Sequence, residues 1–582
     1  MSQKSNEKKS FKVVVNGSGG IESRVTHGSK KPCMINIINY RILPDGSLQK
    51  RPGYKKIYTG QETIRAVWSG NINGKFICFF LAGDHVYTID LSNGSMIYRG
   101  NIDTTEGKAE FFYFMDRLYL ADGTSIYEIT ETALVPVSGY VPLFGKDWPT
   151  GIAGEINEPL NILNLRARIT YKADAESVPY LCPMYSVKTI DAVYKNGVLM
   201  EADAYTYNQN TNLIRVNGIT AGDRFELNVT YENTGFESLR STLNSCRSAS
   251  VFGGINTSRV FLWNGAKKNT IFTSSYVPRA SLAESLSRYP DSSQLYFMAG
   301  EEFTVGDGKH NVTAVARHYD RLLIFTDGDA WMADSSACGT EEFPVMTINS
   351  NIGCAVINGA LTSNNDPITI SQNGIYRWHS NTDELNDCNA YSISDAISSM
   401  FSDSLYESGI LYFDRANNEL WVHEGKWSDS VWIYNFTYKA WTRYWGINAT
   451  HIFDADGSVG FANESSIFVF DQNMTQDLCD GVYTAIVGHI ETGIIDFEDS
   501  EYKKIKSVIL RGDLRNTNIM FILTTDRCED IYVQFYDNID HDGAHLVIKR
   551  PARSHRLHSF SCLLQDDSKG AQTIHEFAIE LK

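Results

Sequence analysis

Several things are missing from this sequence. No stretch approaches the roughly 18–20 consecutive apolar residues of a membrane-spanning helix, so no membrane anchor is expected. The opening MSQKSNEKKSFK is polar and charged with no apolar core behind it, which does not read as a secretory signal. The 10 cysteines (33, 78, 182, 246, 338, 354, 388, 479, 528 and 562) are scattered without a C-x-x-C pair. That spacing suits neither a disulfide framework nor a zinc ribbon, and reduced thiols in a protein made in a cytoplasm fit it. Positive charge is in deficit, with 52 Lys+Arg against 69 Asp+Glu and a formal charge of -17, which argues against a chain whose main task is to wrap the nucleic-acid backbone. There is no G-x-S-x-G, no H-E-x-x-H and no Cys-His phrase of recognised context, so no enzyme activity and no cofactor are expected. Helical patterning is scarce too: 280–287 (ASLAESLS) and 393–401 (ISDAISSMF) are the best stretches, and both are short.

What is abundant is aromatic and turn chemistry. The chain has 582 residues, 31 Tyr, 29 Phe, 10 Trp and 44 Gly, and is 43% hydrophobic. At roughly 150 residues per domain, the length allows about three or four domains. Rich aromatics broken by glycine point to all-β structure with tight turns.

The short runs repeat. Residues 75–81 (KFICFFL), a Gly83-Asp84 turn, 85–90 (HVYTID) and Asn93-Gly94 make one unit. Residues 110–114 (EFFYF), 117–120 (RLYL), Asp122-Gly123 and 125–129 (SIYEI) make another. Similar units run through 314–333 and 410–444, with fragments at 258–278, 364–379 and 449–471. Met115-Asp116-Arg117-Leu118 and Tyr319-Asp320-Arg321-Leu322 fall at the same place in their units, where the aspartate can turn the chain. Strand, turn, strand at a spacing near 40–50 residues is the rhythm of propeller blades. The expected fold is a six- or seven-bladed β-propeller with an inserted β-sandwich and a C-terminal β-sandwich. Its expected parts are an N-terminal arm and docking segment (1–62), the first part of the propeller (63–144), the insertion (145–235), the second part of the propeller (236–483) and the last sandwich (484–582). The insertion carries a Lys195-Asn196-Gly197 hairpin and an Ala221-Gly222-Asp223 turn.

The two ends carry a resemblance. Gly19-Gly20-Ile21-Glu22-Ser23 is followed by Asn39-Tyr40-Arg41-Ile42-Leu43-Pro44-Asp45-Gly46-Ser47-Leu48-Gln49-Lys50-Arg51-Pro52-Gly53-Tyr54, and the far end reads IETGIIDF (490–497) and YKKIK (502–506). These phrases resemble the DNA-stabilisation or tail-hub proteins of short-tailed bacteriophages, with the tubular tail protein B (tail nozzle) group as a structural cousin. The resemblance implies a virion structural protein made in the host cytoplasm. Copies of it, expected as a homohexamer, would form a ring below the portal that adjoins the head-to-tail adaptor or a neighbouring tail ring. Such a ring retains packaged DNA, provides the ejection channel and anchors tail fibre or spike proteins. Genomic DNA would pass without sequence-specific binding, and an acidic lumen would keep the duplex from sticking.

Arg51, Pro52 and Gly53 read as a fixed extended-then-turn element where the arm enters the first blade, because proline sets φ and biases its predecessor to extended geometry. Lys503, Lys504, Arg550, Arg553 and Arg556 make a basic interface on the last sandwich, facing an acidic neighbour or DNA. Gly17-Ser18-Gly19-Gly20 lacks the Gly-Lys-Ser/Thr of a phosphate loop and reads as a flexible turn. Asp537, Asp540, His541, Asp542 and His545, like Asp454 and Asp456, read as solvated turns rather than Ca²⁺ loops, and no metal is expected. Trp421, Trp427, Trp432, Trp441 and Trp445 crowd one unit and read mainly as core, but exposed rings would stack on sugars. The alternative function is accordingly a glycan-binding or glycan-cleaving propeller acting in receptor recognition.

Overall fold

The computed structural model describes residues 11–582 except 16, 25–32, 131–132, 175–177, 233, 254–257, 335–344, 381–387, 497–501 and 553–555. It is all-β, with 53% of the chain in strands and 7% in helices. Five sheets of four strands each follow the chain order, spanning 64–101, 110–136, 248–304, 312–349 and 360–392. Two further four-strand runs lie within larger sheets, one over 410–445 and one made of 451–471 plus the strand Gly53–Thr59 from the other end of the chain. Local chemistry accounts for the tight connections. Asn73 (φ 51°) and Gly74 (φ 76°) take the left-handed conformation that a two-residue hairpin turn demands. Met115 (φ 48°) and Asp116 (φ 63°) turn their hairpin in the same way, while in the Tyr319-Asp320 hairpin only Tyr319 (φ 53°) is left-handed.

The chain divides into two compact units, one of Met1–Ala82, Thr88–Ile97 and Asn351–Lys582, the other of Gly83–Tyr87 and Tyr98–Ser350. In the first unit a fifteen-stranded sheet joins distant parts of the sequence. It runs from the 410–445 strands through Met34–Ile38, Gly488–Thr492, Ser559–Asp566, Lys503–Thr525 and Thr573–Leu581 to Leu48–Lys50 and Tyr40–Ile42. Phe11–Val15 pairs with Thr573–Leu581, and Asp530–Lys549 pairs with Lys503–Thr525. One core, including Ile37, Tyr40, Leu48, Trp432, Trp441, Val508, Phe521 and Phe577, packs beneath these strands. The described residues of the segment read from sequence as a docking arm are therefore woven into sheets with the C-terminal strands. Lys503–Thr525 is long because it changes partner: residues 505–513 pair with Thr573–Leu581 and 519–525 with Ser559–Asp566. Gly512 permits the switch, since a Cβ there would lie 2.1 Å from the Thr573 carbonyl oxygen.

In the second unit, strands between residues 143 and 231 form a five-stranded and a three-stranded sheet. They share a core of Phe144, Trp148, Ile169, Tyr171, Val193, Leu227 and Val229 among others. The helix Arg279–Arg288 lies where its pattern was read. Residues 393–401 are not an α-helix: they form turns and a single 3₁₀ turn, Ser398–Met400. The helix Thr234–Asn244 (TGFESLRSTLN) gave no sequence signal, because its apolar positions are few and Gly, Ser and Thr weaken its propensity.

Candidate functional site

The phrase Asn39–Tyr54 folds into a clasp. Arg51 is buried and forms a two-toothed ion pair with Asp477, its guanidinium nitrogens donating at 2.9 and 2.7 Å. Its Nε donates to Asn39 Oδ1 at 3.1 Å, and the same oxygen accepts the Trp445 N–H at 2.9 Å. Asn39 sits at φ 61°, a conformation asparagine tolerates, and its side-chain amide donates to the Val487 carbonyl at 2.8 Å. Pro52 removes a donor at the bend, and Gly53 begins a strand packed so closely that a Cβ would lie 2.0 Å from the Gln476 carbonyl oxygen. That strand completes the 451–471 run rather than the first four-stranded sheet, which corrects the place given to Arg51-Pro52-Gly53 from sequence.

A second pair lies alongside. Lys50 Nζ stands 3.5 Å from Asp566 Oδ1 and donates to the Ser568 carbonyl at 2.9 Å, while Tyr40 Oη donates to Asp566 Oδ2 at 2.6 Å. Burial pulls the Lys50 ammonium below its ordinary pKa against the opposing pull of Asp566, and burial beside Asp566 pushes the Tyr40 hydroxyl well up. Arg41 approaches buried Glu419 at 3.7 Å without a hydrogen bond between them, and burial lifts the Glu419 carboxyl to about 7. The Pro44-Asp45-Gly46-Ser47 turn is closed by Asp45, which accepts from the Ser47 N–H at 3.0 Å, and by the Tyr438 hydroxyl, which donates to the Pro44 carbonyl at 2.7 Å. Gly17–Gly19 form a single 3₁₀ turn, with Gly17 and Gly20 buried against Leu48 and against Ala440 and Trp441.

The expected basic interface is only partly assembled. Strand alternation turns Lys503 inward, 7% exposed, and Lys504 outward opposite Arg556. Arg550 is exposed at the end of Asp530–Lys549, and Arg553 lies outside the described residues. The stretch holding Asp537, Asp540, His541, Asp542 and His545 is strand rather than a turn, part of Asp530–Lys549. Asp454 instead accepts the Gly457 N–H at 3.0 Å in a tight turn. Trp421, Trp432 and Trp441 are core residues, with Trp432 Nε1 donating to Glu424 at 2.8 Å and Trp441 Nε1 to the Ile393 carbonyl at 2.7 Å. Trp427 and Trp445 are not, and Trp427 is 83% exposed with the Lys426 ammonium 5.0 Å from its ring.

Sequence reading missed the acidic partners Asp477, Asp566 and Glu419. It also missed the outward face of the long ribbon, where Tyr532, Tyr536, Leu546 and Ile548 are all exposed. Adjacent Lys50-Arg51 before Pro-Gly was a usable signal for buried pairing. Nothing local identifies a partner 426 positions away.

No protein-family model matches the chain, and no curated protein sequence matches it. Among solved structures, the extracellular domain of a hybrid two-component system from B. thetaiotaomicron aligns with a TM-score of 0.37 at 8% identity, over 92% of this chain and 63% of that one. The chain thus spans less than two thirds of that neighbour, and a likeness of this degree carries no argument about function.

Proposed function

We propose that this chain is a non-enzymatic structural component of a bacteriophage tail, a nozzle or hub ring below the portal and adaptor. In this reading the seven four-strand runs are blades of one β-propeller, and the 143–231 and C-terminal regions are β-sandwiches that contact neighbouring subunits, fibres or spikes. The ring retains packaged DNA and gives it an exit channel. The observation that carries the reading is the clasp: the phrase that resembles the tail-hub family, Asn39–Tyr54, leads into the strand Gly53–Thr59, which pairs with Ser466–Asp471 on one side, while Arg51 is held by Asp477 of Gln476–Cys479 on the other. A propeller closed by its own N-terminal strand is held at its weakest seam, which suits a part under internal pressure. The net charge of -17 supports a channel past which DNA slides.

Quantitative mass spectrometry of purified particles tests this. The expected result is about six copies per particle, the number that the tail-hub resemblance implies for a closed ring. Absence from particles would overturn it. A second reading, glycan binding in receptor recognition, rests on the exposed ring of Trp427. Calorimetry with host-surface polysaccharide tests that reading, and a heat of binding abolished by Trp427→Ala would favour it.

A further inference from the structure

The ribbon formed by Lys503–Thr525 and Asp530–Lys549 leaves Asp530–Lys549 paired on one side only among the described residues. A strand of 20 residues with an open edge and exposed apolar side chains invites association. Toward its end, Leu546 (56% exposed) and Ile548 (55%) point outward on the same face as Arg550, and Arg511 stands directly opposite Leu546. The face is therefore an apolar pair between two arginines. Glu580, whose field Arg550 shares, already holds Lys506 at 2.6 Å and Ser507 at 2.8 Å.

The same chain carries a surface of opposite character. The hairpin of Val187–Lys195 and Val198–Leu199 presents Val198 (70% exposed) and Leu199 (60%). Exposed Glu201 and Asp203 follow within a few residues, while Lys195 of this hairpin is occupied by Asp223 at 3.0 Å. This is an apolar pair beside two carboxylates. Apolar cores rimmed by complementary charge are what make an interface specific.

We infer that the Leu546–Ile548 face of one copy receives the Val198–Leu199 hairpin of a second copy, with Arg511 and Arg550 meeting Glu201 and Asp203. The two surfaces differ, so the contact is head-to-tail, and repeated with rotation it closes a ring. The inference rests on the ring reading above and supplies it with a subunit contact.

The test uses the full chain and two variants, Leu199→Asp and Ile548→Asp, each at an exposed position, with thermal melting to verify that both remain folded. Sedimentation or light scattering of the unmodified chain should give an assembly, and each variant alone should fall to the 65.3 kDa monomer. Mixed in equal amounts, the variants retain one intact contact between them, so the mixture should form a 1:1 dimer and nothing larger. Exchanging the charges in one chain, Arg511→Glu with Glu201→Arg, should assemble better than either single reversal. An unmodified chain that stays monomeric, a variant that keeps the full assembly, or a mixture that stays monomeric would overturn the inference. Copy counting in particles is a separate readout: a chain present in particles whose variants still assemble sinks the contact and leaves the tail reading standing.

Discussion

The clasp at Asn39–Tyr54 and the ribbon over 503–549 follow opposite rules within one unit of the chain. The clasp takes charged groups into the interior, where Arg51, Lys50, Asp566 and Glu419 are all buried. The ribbon puts Tyr532, Tyr536, Leu546 and Ile548 into solvent. Buried ions are costly unless paired: Arg51, Lys50 and Asp566 have well-placed partners within the chain, while Glu419 has only Arg41 at 3.7 Å. Exposed apolar rows have no such internal answer and call for a partner. The difference separates charged side chains that the fold itself answers from apolar side chains that it leaves in solvent.

The comparison breaks first at Arg51. Arg51→Ala leaves Asp477 buried without its cation, and loss of one partner of a buried pair costs roughly 3–5 kcal/mol. Urea unfolding should show the transition of the first unit shifted to lower concentration by that amount.

Glu419 gives the next effect, of about 3 kcal/mol from a carboxyl raised from 4.5 to about 7. Its folded pKa lies above its unfolded one, so the fold prefers the protonated acid. Stability is therefore full below about pH 4.5 and declines as the pH rises to about 7. Glu419→Gln should flatten the stability profile between pH 5 and 8, and an unchanged slope would remove Glu419 from the account.

Gly53→Ala comes third. Its Cβ meets the Gln476 carbonyl oxygen, and relieving such overpacking costs about 1–3 kcal/mol, readable as a lower melting temperature. Smallest is the effect of Leu546→Ser on the monomer, within about 0.5 kcal/mol, because the side chain is exposed. A large loss there would mean that the ribbon face belongs to the core, and the contrast between the two regions would fail.

Much of the local structure was legible. Alternating aromatic runs and Asp or Asn-Gly turns announced strands and hairpins, since both signals act over a few residues. The helix Arg279–Arg288 showed for the same reason, while 393–401 misled because Ile393, Ala396, Ile397, Met400 and Phe401 fall at helical spacing, yet the Ile393 and Ala396 carbonyls accept from Trp441 and Ser23. Long-range pairing was not legible. Lys50 meets the Asp566–Ser568 turn 516 positions away, and no local pattern marks which aspartate will close on which lysine. The acidic and histidine-rich stretch 537–545 looked like a loop by composition, yet pairing with Lys503–Thr525 carries the strand through it.

Cryo-electron microscopy of the purified particles, averaged about the tail axis, tests the central claim most directly. The account predicts a closed ring of this chain around the DNA channel, with the 143–231 region of each copy against the long ribbon of the next. Density for the chain only at fibre tips, or none in the particle, would contradict it.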